Sequence, residues 1–180
     1  MRLLRLYLSV AVSSFRRYAT YRVATAAGVF TNTVFGFVLA YTFIALWSER
    51  PHLGGYDASQ ALTYVWTGQA LLAGVALMGG GAQEDLQERI RTGDVAVDLY
   101  RPVDLQSWWL AADLGRAAFH LVGRGVVPMA VGAVFFDLSL PASPRVWALF
   151  TVSVVLAVVV SFAFHYLLAL STFWLLDGQG

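Results

Sequence analysis

The sequence predicts an all-α membrane fold: a polytopic transmembrane helix bundle with four spans in this chain, preceded by an amphipathic interfacial helix. Three observations carry this prediction. Hydrophobic residues make up 58% of the 180-residue chain and charged residues 13%, where about a quarter is usual in a soluble domain, and the mean hydropathy is +0.65. Several uncharged runs are each long enough to cross a bilayer, and a single water-soluble core of this size could not shelter them all. The arginines are sorted by loop. They form no basic stripe and the net charge is only +1, so a nucleic-acid partner is excluded. The absence of cysteine rules out a disulfide framework, thiol catalysis and thiolate metal sites.

Residues 1–180 read as a single membrane domain. In residues 3–22, Leu3, Leu6, Val10 and Phe15 can be buried in the interface while Arg2, Arg5, Arg16 and Arg17 lie near headgroups, which makes the segment an interfacial helix. A signal peptide would need a small-x-small cleavage site, and none follows. Residues 24–47 carry no charge and are roughly 36 Å long as a helix, enough to span a core of about 30 Å. The turn formers Pro51, Gly54 and Gly55 then predict a short loop before a second span over 58–82, with Tyr64 and Trp66 toward one end. A third span over 117–138 contains His120, Arg124 and Pro128. Arg124 lies near its end, where it can snorkel to headgroups, and Pro128 predicts a kink. The fourth span, 146–170, has only His165 as an ionisable group.

Arginine placement sets the orientation. Arg2, Arg5, Arg16, Arg17 and Arg22 precede the first span, and Arg89, Arg91, Arg101 and Arg116 lie between the second and third, against Arg50 and Arg145 on the other side. The positive-inside rule therefore places the N-terminus and the 83–116 segment in the cytoplasm.

That segment holds most of the acids. Glu84 to Arg91 fits a helix, with acids in its first turn, arginines in its last and Gly93 as its stop. Val95 to Tyr100 reads as short extended or irregular chain ending at Arg101-Pro102, and Asp104 caps a new helix that carries Trp108 and Trp109 into the interface. Two readings stand at this level: a solvated connector, or a docking surface for a cytoplasmic partner.

The run Arg89-Ile90-Arg91-Thr92-Gly93-Asp94-Val95-Ala96-Val97-Asp98-Leu99-Tyr100-Arg101-Pro102-Val103-Asp104 resembles the segment between the second and third spans of bacterial type-2 ABC export permeases. The basic N-terminal helix, the span spacing and Phe173-Trp174-Leu175-Leu176-Asp177 are similar to that family as well. The resemblance implies a permease subunit in the bacterial inner membrane that pairs with a second permease subunit, as a homo- or heterodimer, and binds a separate ABC ATPase subunit. No catalytic, cofactor or metal site is expected in this chain, since His52, His120 and His165 lie on different elements with no His-x-x-x-His motif or carboxylate pair beside them. The implied ATPase-coupling residues are Glu84, Glu88, Arg89, Arg91, Gly93 and Asp94, continuing with Asp98, Arg101, Pro102 and Asp104. The family usually has six spans, so the resemblance also implies a C-terminally incomplete permease. The chain has no Gly-x-x-x-x-Gly-Lys-Ser/Thr loop for phosphates, and Gly79-Gly80-Gly81 instead suggests close packing or unwinding as the second span leaves the membrane.

Among the remaining candidates, Asn32, flanked by Thr31 and Thr33, suits interhelical hydrogen bonding or a pathway contact. Gly36-x-x-x-Ala40 and Ala70-x-x-x-Gly74 permit close helix contact. His120 and Arg124, with Asp113 and Arg116 before them, allow either an intramembrane charge relay or an anchor beside a hydrogen-bonded histidine. Membrane lipid is an expected partner in either case. The rivals to transport are a non-catalytic scaffold and an intramembrane enzyme built on His120, Arg124 and Asp113, which lacks a nucleophile or metal set.

Overall fold

The computed structural model describes residues 2–75 and 81–175, and every regular element among them is helical. In chain order these are α1 (Arg2–Ala19), α2 (Arg22–Glu49), a 3₁₀ turn (Leu53–Gly55), α3 (Ala58–Leu71), α4 (Ala82–Thr92), α5 (Val95–Leu99), α6 (Leu105–His120), a π-helical segment (Leu121–Gly125), α7 (Val126–Phe135) and α8 (Pro144–Leu175).

Three helical runs among the described residues are long and apolar enough to cross a membrane: Arg22–Glu49, Leu105–Phe135 and Pro144–Leu175. The second expected span, 58–82, differs. α3 is helical for 14 residues, about 21 Å, short of the roughly 30 Å core, and the chain turns over 72–74. Gly79 and Gly80 of the glycine run lie outside the described residues. The helix that carries the third expected span begins at Leu105, directly after the Asp104 cap, and the helical run continues to Phe135. The charges that read as loop are neutralised within the helix: Arg116 Nε donates to Asp113 Oδ1 at 2.6 Å, with the two side chains 7% and 3% exposed. Pro128, whose ring would crowd the Arg124 carbonyl four residues earlier in a regular α-helix, follows the π-helical turn Leu121–Gly125.

The chain divides into two compact units. One comprises Met1–Tyr18, Val75–Ala118 and Ser153–Gly180; the other comprises Ala19–Gly74 and Phe119–Val152. In the first, α1 leaves Leu3, Leu4, Leu8 and Val12 exposed on an apolar face, and it ends before Arg22, which instead opens α2. α1 packs so closely on α6 that a Cβ at Gly115 would overlap the Ala11 carbonyl. The core of this unit joins Leu86 and Ile90 of α4 with Val95 of α5, Trp109 of α6, and Phe162 and Ala169 of α8.

In the second unit, α2 presents Gly28, Asn32, Gly36 and Ala40, one per turn, as its buried stripe. Trp66 of α3, fully buried, fills the space these small residues leave: a Cβ at Gly36 would come within 2.6 Å of its ring. Phe37 and Phe136 pack around the same indole at ring separations of 5.5 and 5.7 Å. A reciprocal capping box starts α3, with Gln60 N donating to Asp57 Oδ1 at 2.8 Å and Asp57 N donating to Gln60 Oε1 at 3.0 Å. Asp57→Ala is expected to weaken this start by about 1 kcal/mol, seen as roughly fivefold faster hydrogen exchange in the first turn of α3. Unchanged exchange would show that the turn is held by other contacts.

Candidate functional site

The charged stretch between the apolar helices is a folded element. α4 carries Glu84 and Asp85 in its first turn and Arg89 and Arg91 in its last, complementing its dipole at both ends. Gly93 stops it in the left-handed region, φ 80°, where a side chain is strained even though the surrounding space is open.

The next segment corrects the expectation of an extended chain: Val95–Leu99 is the short helix α5. Val95-Ala96-Val97 alternates like a strand, but a helical turn places Val95 and Asp98 on one side, and both are buried. Val95 joins the apolar core, and Asp98 meets Arg89 in a two-pronged ion pair, Nε to Oδ2 at 2.5 Å and Nη2 to Oδ1 at 3.0 Å. Arg101 Nη1 approaches Asp98 Oδ1 at 3.3 Å and its guanidinium lies 5.2 Å from the centre of the Trp108 ring. The hydrogen bond to Asp98 raises the Arg89 pKa above its ordinary value, keeping this cation charged.

Asp104 starts α6, its Oδ2 accepting from Ser107 N at 2.7 Å. Ser107, through its hydroxyl and backbone N–H, holds the Asp104 carboxyl below its ordinary 3.8, so the cap is complete above that value and lost as pH falls below it. Trp109 does not reach outward as expected. It is 8% exposed and belongs to the core with Leu86 and Ile90 of α4. Glu88 lies 4.0 Å from Arg91, whereas Glu84, Asp94 and Pro102 are exposed.

Facing this element, α1 contributes Arg17, whose Nη1 and Nη2 donate to Asp85 Oδ2 and Oδ1 at 2.5 and 3.2 Å. Between them runs a groove of about 830 Å³, with Ser9, Ser13 and Ser14 on the α1 side and Glu88, Arg89 and Asp98 opposite. Burial, then the nearby Asp85 charge, raises the Tyr18 pKa at its rim. The Arg17–Asp85 link escaped sequence reasoning, since residues 68 positions apart leave no local signal.

The other candidate residues lie in the second unit. Asn32 Nδ2 donates to the Gln69 carbonyl at 3.2 Å in a buried interhelical bond. His120 stacks edgewise on Phe119 at 5.5 Å. Arg124 lays its guanidinium against Gly28 of α2, where a Cβ would overlap it. Of the four groups drawn as a relay, Asp113 and Arg116 belong to the first unit and His120 and Arg124 to the second.

Long apolar helices interrupted by a folded, charge-clamped element define a polytopic helical membrane protein. A family model described as ABC-2 family transporter protein matches residues 12–179. The chain belongs to that family and is a membrane protein of the ABC transporter class. No curated protein and no solved structure matches it.

Proposed function

We propose that this chain is the permease subunit of an ATP-driven exporter in the bacterial inner membrane, with its N-terminus and charged element cytoplasmic. ATP hydrolysis belongs to a separate ABC ATPase subunit, and a second permease subunit completes the substrate path. The family match over residues 12–179 is the observation that carries this reading. The geometry supplies a means of coupling. α4 and α5 are locked together through Asp98, and five residues after α5 the chain enters a helical run, Leu105–Phe135, long and apolar enough to cross a membrane. A push on the α4–α5 element by the ATPase would pass first to α6 at the start of that run.

The test uses the tagged full-length protein purified in mild detergent together with the products of neighbouring genes. Wild type is expected to recover an ATPase and stimulate its hydrolysis. Gly93→Val, which forces a branched side chain into φ 80°, and Asp94→Arg, which reverses an exposed charge, are each expected to cut that stimulation about tenfold or more. Normal stimulation in both variants removes the coupling role, and failure to recover any ATPase moves the scaffold reading ahead.

A further inference from the structure

A second concavity, of about 580 Å³, lies wholly within the second unit, between α2 and the π-helical segment with α7. Its walls are Val29, Phe30, Phe119, Val127 and Val131, with Gly123 of the π segment as a side-chain-free stretch of floor. Thr25 and Thr33 also line it, but their hydroxyls donate to the Tyr21 and Val29 carbonyls at 2.9 and 2.8 Å. The wall therefore has few donors left to offer a polar solute and suits a hydrocarbon chain. One charged group stands on the groove, Arg22 at the first residue of α2, and no carboxylate among the described residues pairs with it.

The dimensions suit one acyl chain. From Arg22 to Thr33 the α2 axis advances about 16 Å, close to half of the roughly 30 Å hydrocarbon core, which is the depth of one leaflet. The one cation marks the end of the groove at which a headgroup would sit.

The geometry points to a specific binding site for an anionic phospholipid, with one acyl chain along Val29, Phe30 and Val127 and its phosphate against Arg22. This site is separate from the coupling element and does not depend on the exporter reading. An interfacial arginine contributes about 1 kcal/mol toward an anionic headgroup, a preference of roughly fivefold.

The test is native mass spectrometry of the intact full-length protein released from detergent, with phosphatidylglycerol or phosphatidylcholine of identical chains added. Wild type is expected to retain phosphatidylglycerol about fivefold better than phosphatidylcholine. Arg22→Gln, at an exposed helix end, is expected to abolish that preference without disturbing the fold, and Ala26→Trp, which fills the groove from an exposed position, to reduce retention of both lipids. Equal retention of the two lipids by wild type, or an unchanged preference in Arg22→Gln, would overturn the headgroup site. Loss of dimer in Ala26→Trp with lipid retention intact would show the groove to be covered by a second copy of the chain, which also overturns it.

Discussion

Asp98→Ala is expected to release α5 from α4 and, on the exporter function proposed above, to reduce ATP-driven transport by more than tenfold. Asp98 is 6% exposed and is the common acceptor for Arg89 and Arg101, so its removal leaves two guanidiniums without the carboxylate that fixes them. Breaking a fully buried pair costs about 3–5 kcal/mol. Because Arg89 is 32% exposed, water recovers part of that loss, and about 2 kcal/mol remains, a shift of roughly 30-fold in the local folding equilibrium. Two readouts check it: transport in vesicles containing the ATPase, and hydrogen exchange of the Val95–Leu99 amides, expected to rise in the variant. Asp98→Asn keeps an acceptor oxygen and should fall between the two. Wild-type transport by Asp98→Ala would show that the clamp is dispensable to the cycle.

Gly125→Ala is expected to destabilise the second unit by about 1–3 kcal/mol, because the new methyl group would overlap the Ala70 carbonyl in the last turn of α3, and backbone cannot step aside. In a chain of this size that lowers the melting temperature by about 2–4 °C per kcal/mol, measurable by thermal unfolding in detergent. Gly28→Ala makes the sharper comparison. The atoms nearest its methyl group belong to the tip of Arg124, a side chain rather than backbone. The single variant should therefore lose less, and pairing it with Arg124→Ala should remove the clash. Equal losses from Gly28→Ala and Gly125→Ala would mean that Arg124 is held as rigidly as backbone.

The local features of the charged element were legible because they rest on near neighbours. The helix over 84–91, its stop at Gly93 and the Asp104 cap each follow from residues within one turn of each other. α5 was misread for the opposite reason. Its strand-like alternation was outweighed by a carboxylate that must reach Arg89, nine positions earlier, and by an apolar core that Val95 helps to fill. Asp113 and Arg116 count as two charges in a hydropathy profile, so the apolar span was placed after them, whereas three positions apart on a helix they form one neutral pair. Trp109 was expected at the interface for its amphipathic ring, and the core that takes it in is built from residues of α4, α5 and α8 that sequence spacing does not bring near it.

By itself the sequence determined the class of the protein, since uncharged runs of more than twenty residues have no refuge but a bilayer. It also determined the family, through a long contiguous motif that needs no folding to be recognised. Only the tertiary structure decided which charges are neutralised in pairs, which glycines are notches for Arg124 or a neighbouring carbonyl, and that Arg22 heads an apolar groove one leaflet deep. Those features join residues tens of positions apart. Their energies depend on separations of a few ångströms, and such separations exist only once the helices have packed.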